Sequence, residues 1–180
     1  MSHPSKGFSL IELMVVLSVA GILLTVAVPS FVSLIQRNRV STEVNGFIGD
    51  LQFARSEAIK QGLAVSVCPS SSGTSCLKTN TWQAGWIVFS NAKATGNVET
   101  GDTVLRMRPA WKGGDTLTAA PALLSLTYNR DGFALVPGNA QGTTLMTLRT
   151  SPANASATRC VAINRVGYQK LYKSGENGCT

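Results

Sequence analysis

From Leu13 to Val28 the chain reads LMVVLSVAGILLTVAV, and no charged residue occurs from Leu13 to Gln36. About 20 apolar residues at ~1.5 Å rise cross a hydrocarbon core of ~30 Å, so this run, extended back to Phe8, predicts a helix long enough to span a membrane. After Arg37 and Arg39 the pattern changes. Val40, Val44, Phe47, Ile48, Leu51, Ala54, Ala58 and Ile59 recur at three- and four-residue spacing, while Glu43, Asp50, Arg55, Glu57 and Lys60 fall largely off that stripe. An amphipathic continuation of the same helix is predicted. Gly62 follows the last periodic residue as a C-cap, so one helix runs from about Phe8 to Gln61 and measures ~80 Å.

Beyond Gly62 the texture becomes short β-rich runs divided by Gly, Asn, Ser and Pro. Predicted strands are Leu63 to Cys68, Gly85 to Ser90, Thr103 to Arg108, Leu123 to Tyr128, Phe133 to Val136, Thr143 to Thr150, Cys160 to Asn164 and Val166 to Tyr172. Asp131-Gly132 is a hairpin-turn signal between two of them. Strands at this spacing after one long helix predict an α+β fold, with an antiparallel sheet covering the amphipathic half of the helix. No repeat of 20 to 50 residues is present.

Composition sharpens this picture. The 180 residues fit one domain with something attached. Apolar residues make up 44% and charged residues only 14%, which excludes a disordered chain and matches a purely apolar segment joined to an ordinary domain. Sixteen basic against nine acidic residues leave +7, compatible with nucleic acid, anionic lipid or an acidic partner. The only histidine is His3, so metal sites and triads built on histidine have little to work with. The apolar run is too long for a cleaved secretory signal and continues into helical sequence.

Glu12 does not fit a simple anchor. An isolated carboxylate in the first turns of an apolar run costs ~2.5 kcal/mol or more and calls for a partner. It is preceded by a polar leader that contains Lys6 and ends at Gly7, and the whole stretch reads KGFSLIELMVVLSVAGILLTVAVPSF. This stretch resembles the N-terminus of type IV pilins and type II secretion pseudopilins. The resemblance implies that a prepilin peptidase cuts between Gly7 and Phe8 and methylates the new amino group of Phe8. It also implies that Glu12 meets the N-terminal amine of a neighbouring subunit during assembly, an ammonium beside a carboxylate making both tolerable out of water. Gly21 and Pro29 mark the stretch expected to kink or melt when packed in a filament, since proline removes the hydrogen bond to the Thr25 carbonyl.

The implied organisation is a leader at 1–7 that is removed, a membrane and filament-core half-helix at 8–36, an amphipathic half at 37–62 and a β-rich head at 63–180. The leader would lie in the cytoplasm and the head outside the bacterial inner membrane, the subunit later joining a pilus at the cell surface. Helix followed by strands resembles, in outline, the GspH/FimT/FimU group of minor pilins. The expected role is a structural minor pilin that primes or caps a pilus and supports fibre assembly, twitching, adhesion or DNA uptake. Its partners would be other pilin subunits, the peptidase and the inner membrane. The alternatives are a DNA-binding pilin of the FimT type and a type II secretion pseudopilin of the GspH type.

Cys68, Cys76, Cys160 and Cys179 allow three disulfide connectivities, and nearness in sequence favours Cys68 with Cys76 and Cys160 with Cys179. Their spacing does not suit zinc, and an exported head favours disulfides, each closed loop contributing ~2.5 to 3.5 kcal/mol. The second pair resembles the disulfide-closed C-terminal loop of type IV pilins. No phosphate-binding loop or nucleophile elbow is present, and an enzyme, a cofactor and a metal are not expected.

Without residues 1–7 the side chains carry 15 basic and nine acidic groups, and +4 of that surplus lies between Arg159 and Lys173. Arg159, Arg165, Lys170 and Lys173, with Tyr168 and Tyr172 among them, form a candidate DNA-binding segment. The Gly-Arg-x-Arg motif of DNA-binding FimT-type pilins is only half matched, by Asn164-Arg165-Val166-Gly167. In an unbroken strand Arg165 and Lys173 would face one way and Lys170 the other.

Overall fold

The structure is a computed structural model that describes residues 7–136 and 142–180, so of the expected leader only Gly7 lies within it. Among the described residues one α-helix, α1 (Leu10–Gln61), precedes nine strands: β1 (Val65–Pro69), β2 (Trp86–Ser90), β3 (Val104–Arg108), β4 (Thr116–Ala120), β5 (Leu126–Tyr128), β6 (Ala134–Leu135), β7 (Thr143–Arg149), β8 (Arg159–Asn164) and β9 (Gln169–Lys173). α1 starts two residues later than expected because Ser9, in extended backbone, caps it: the Glu12 N–H donates to Ser9 Oγ at 3.3 Å. It ends at Gly62, whose φ of 65° is the left-handed conformation that glycine adopts without strain. Pro29 and Gly21 both lie inside an uninterrupted helix.

The strands form two antiparallel sheets, one in the order β3-β2-β1-β5-β6 and the other β4-β7-β8-β9. The helical stripe Val40, Val44, Phe47, Leu51, Ala54 and Ala58 is buried against Val65 and Val67 of β1, Val88 of β2 and Val161 and Ile163 of β8. Phe47 meets the rings of Trp82 and Trp86 edge-on at 5.6 and 5.3 Å. Gly46 and Gly49 within α1 each cost about 1 kcal/mol of helix propensity, and burial at roughly 1.5–3 kcal/mol per large side chain outweighs them. On the far side of β1 and β2, Cys68, Ile87 and Phe89 make a second buried cluster under Cys76 and Val98. Across the two sheets, Gln169 donates to the Tyr128 hydroxyl at 2.9 Å, and burial pushes that hydroxyl's pKa up to about 12.

Several sequence expectations need correction. β4 was not foreseen: Thr116–Ala120 ends in two alanines, weak strand formers, and pairing with β7 on one side and the Asn80 and Gln83 side chains on the other holds it. The strand expected over Leu123 to Tyr128 is confined to Leu126–Tyr128, with Leu123 buried as a core residue whose carbonyl accepts from Trp82 Nε1 at 3.0 Å. Phe133 to Val136 contracts to Ala134–Leu135, after a five-residue connection in which the Asn129 N–H donates to the Phe133 carbonyl across a turn containing Asp131 and Gly132, the latter at φ 79°. Val166 to Tyr172 is not one strand, because Arg165–Gly167 form the turn between β8 and β9, and β9 starts only at Gln169.

Candidate functional site

The first half of α1 has no partner among the described residues. Leu13, Met14, Val15, Val16 and Leu17 are all exposed, and five consecutive helical residues cover the whole circumference. Exposed apolar side chains continue from Phe8 to Ile35. Glu12 is exposed among them, one turn from the helix start, and no ion pair joins it to another described residue. A helix apolar on every side and long enough to cross a membrane takes either lipid or other helices of its kind as surroundings.

The second half of α1 is fastened to the head by a ladder of polar contacts. Gln36, 6% exposed, accepts from Asn154 Nδ2 at 2.7 Å and donates to the Pro152 carbonyl at 3.2 Å. Arg39 forks onto buried Asp115 at 2.7 and 2.6 Å, and Asp115 also accepts from the Ser151 N–H at 2.7 Å. Asp50, 1% exposed, accepts from Trp86 Nε1 at 3.0 Å, Arg106 at 2.8 Å and Arg108 at 2.9 and 3.0 Å, while Arg106 stacks 3.7 Å above the Phe53 ring. Near the distal end Arg55 donates to the carbonyls of Val166 at 2.9 Å and Gly167 at 3.2 Å. A bidentate guanidinium on a carboxylate fixes orientation as well as distance, so these rungs set how the head sits on the helix.

Two groups on this ladder are imperfectly met, the Arg55 Nε, buried without a partner among the described residues, and Glu43. Glu43 lies one turn beyond Arg39, its Oε2 is buried without a hydrogen-bond partner, and burial together with the neighbouring Asp115 charge pushes its pKa up to about 7 against the pull of Arg39. A carboxyl raised in the folded state is a cost that appears as pH rises: the unfolded chain loses the proton near 4.5, the folded one only near 7, and folding weakens across that window. Replacing Glu43 with Gln is therefore expected to stabilise the head at pH 8 by on the order of 1 kcal/mol and to change little at pH 4. Thermal unfolding at the two pH values checks this; an equal shift at both would rule it out.

On the head, the disulfides Cys68–Cys76 and Cys160–Cys179 are closed and no described cysteine is free. The first folds a loop over the outer face of β1 and β2, and the second ties the C-terminal loop to β8. The basic residues foreseen in the C-terminal segment do not converge. Arg159 stands opposite Lys173 at one end of the β8–β9 pair, Arg165 lies in the turn at the other, and Lys170 is opposite Ala162, on the other face from Lys173. Arg159 is occupied by the carbonyls of Ser156 and Thr158 at 3.0 and 2.8 Å, and Lys170 rests 5.1 Å from the Tyr172 ring centre. Tyr168 is exposed beside Arg165. Arg130 and Phe133 come near the same turn, the Ala134 N–H donating to the Arg165 carbonyl at 2.9 Å, a neighbourhood that sequence distance concealed.

A bare apolar half-helix, suited to lipid or to like helices and rigidly carrying a disulfide-closed β head, is a pilin-type architecture. The chain belongs to the family described as "Type II transport protein GspH", which matches residues 43–167, and residues 2–28 match the prokaryotic N-terminal methylation motif. The fold is similar to two crystal structures of the Pseudomonas aeruginosa type IV minor pilin FimU. The first has a TM-score of 0.61 at 22% identity and covers 78% of this chain and 92% of that one. The second has 0.56 at 21% identity, with 76% and 94% covered. The chain is thus a structural protein of the GspH family, not an enzyme, with an N-terminal methylation motif on a fold similar to that of FimU.

Proposed function

We propose that this protein is a minor pilin of a type IV pilus, anchored in the inner membrane through residues 8–36 with its head outside the cytoplasm until it enters the fibre. In this reading a prepilin peptidase cleaves between Gly7 and Phe8 and methylates Phe8, and the freed ammonium of a neighbouring subunit meets Glu12. The observation that carries it is Glu12 itself, a lone carboxylate on a helix otherwise apolar on all sides. Burying such a helix among others strands that charge unless each subunit brings a cation to it, so the pair registers one subunit against the next. Gly21 and Pro29 supply a stretch where the helix yields when packed, one backbone hydrogen bond being absent at Pro29 already. The polar ladder from Gln36 to Arg55 then carries the register of the helix to the head.

Replacing Glu12 with Ala is expected to leave the head folded and to cut incorporation into the filament at least tenfold, an ion pair of ~1.4 kcal/mol or more being lost at each step. Immunoblotting of sheared pili reads this, and undiminished incorporation of Glu12→Ala would sink the registering role. The same strain, scored for piliation and for secretion of folded exoproteins, separates a pilus subunit from a secretion pseudopilin. DNA binding by the head has less support, because its four candidate cations are divided between two faces and two ends of the β8–β9 pair.

A further inference from the structure

The membrane-proximal end of the head carries cations that neither fold nor filament register uses. The head begins without a spacer: Ile35 is exposed and apolar, and the next residue, Gln36, is already buried under the β7–β8 connection. The β3–β4 turn comes down beside it, with Gly113 close to the Arg39 guanidinium and Asp115 in its grip. Arg37, on the helix, and Lys112, in that turn, are both exposed. Arg37 makes a single long contact of 3.4 Å, to Ser156 Oγ, and Lys112 has no ion pair among the described residues. The connection over residues 150–158 contains no charged residue, and of the acids nearest this end Asp115 is buried and matched by Arg39, while Glu43 lies against Asp115 with its Oε2 buried.

From Phe8 to Arg37 the helix rises about 43 Å at ~1.5 Å per residue, close to the ~40–45 Å of a bilayer with its headgroups. With Phe8 at one surface, Arg37 stands at the headgroup level of the other, and the β3–β4 turn stands beside it. Cations near a spanning helix usually gather on the cytoplasmic side. Here they lie on the head side, where lipid phosphate is the anion within reach. Resting on the reading of residues 8–36 as the membrane anchor, the geometry points to a lipid-phosphate collar: Arg37 and Lys112 bind anionic phospholipid headgroups of the leaflet facing the head and hold the unassembled subunit upright on the membrane. The collar faces the anchor, so extraction into a fibre breaks it.

The test uses the full chain in vesicles of phosphatidylcholine alone or with phosphatidylglycerol, treated with a water-soluble acetylating reagent and read by mass spectrometry. Lys60 and Lys93, exposed near the far end of the head, serve as internal references. The expected result is that Lys112 reacts about fivefold more slowly relative to Lys60 in the anionic vesicles, each cation near such a surface being worth ~1 kcal/mol. High salt should abolish the difference and Arg37→Gln should reduce it. Equal Lys112 reactivity in both lipids, or slowing that Arg37→Gln leaves untouched, would overturn the collar while leaving the anchor intact. Failure of the chain to float with either vesicle would instead overturn the anchor reading and the collar with it.

Discussion

Replacing Asp50 with Ala is expected to destabilise the head by about 3 kcal/mol, an effect confined to one carboxylate because three donors from β2 and β3 end on it. The donors lose unequally. Arg106 and Arg108 are 40% and 42% exposed, so they can turn to water, and Arg106 keeps its place over Phe53. Trp86 is 1% exposed, and its indole N–H is stranded, a loss of ~1–3 kcal/mol by itself. For a chain of this size the midpoint of thermal unfolding falls by roughly 6–12 °C. Asp50→Asn, which keeps one acceptor, should lose less. Near-ultraviolet circular dichroism of the buried tryptophans follows the transition, and an Asp50→Ala midpoint within 2 °C or so of the parent would exclude Asp50 as the hub.

The acid side of the stability curve carries the same signature with a definite sign. Burial alone would raise the Asp50 pKa, but the hydrogen bonds from Arg108, Arg106 and Trp86 and the Arg108 charge hold it below its ordinary 3.8. Its contribution is complete above that value and is lost as the pH falls from there through the lower folded value. Glu43, on the same helix, acts in the opposite sense between 4.5 and about 7. Asp50 thus contributes an acid limb to the head's stability below 3.8, and Glu43 a falling slope between 4.5 and about 7. Substituting each residue should remove only its own limb.

The readable features were those written within short stretches of chain. The membrane-length run, the stripe from Val40 to Ala58 and the cap at Gly62 obey a helical period, and α1 follows them almost to the residue. The Glu12 signal is legible because a charge in an apolar run breaks a strong local rule. What stayed hidden depends on partners far along the chain. β4 owes its place to β7 and to the carboxamides of Asn80 and Gln83, none of which its own five residues announce. Asp50 looks like any polar residue beside a hydrophobic stripe, and its burial follows only once β3 delivers two arginines from 56 and 58 positions away. The basic segment was legible in part: strand alternation already set Lys170 apart from Lys173, and what sequence concealed is the turn at Arg165–Gly167, which puts Arg165 at the other end of the β8–β9 pair.

That turn yields the second large effect, and it concerns the half-matched motif directly. Gly167→Arg supplies the second arginine of Gly-Arg-x-Arg, and on sequence grounds it should improve any grip on DNA. The structure predicts the reverse, a loss of about 2–5 kcal/mol in stability with no gain in DNA affinity. Gly167 has φ of 77°, where a side chain costs roughly 1–2 kcal/mol. Its missing Cβ would collide with the Gly132 carbonyl oxygen and lie 3.1 Å from Arg55 Nε, crowding worth a further ~1–3 kcal/mol. Neither neighbour can yield cheaply, since Gly132 closes the β5–β6 hairpin and Arg55 holds the carbonyls of Val166 and Gly167 from the helix. Gly167→Ala isolates the backbone and Cβ cost, and the arginine variant adds a second guanidinium beside the first. Thermal unfolding of both, with a salt titration of duplex DNA against the parent and the arginine variant, separates the outcomes. A Gly167→Arg protein as stable as the parent and steeper in its salt dependence would mean that the glycine is incidental; a destabilised one without new affinity means that the turn is built around its absence of a side chain.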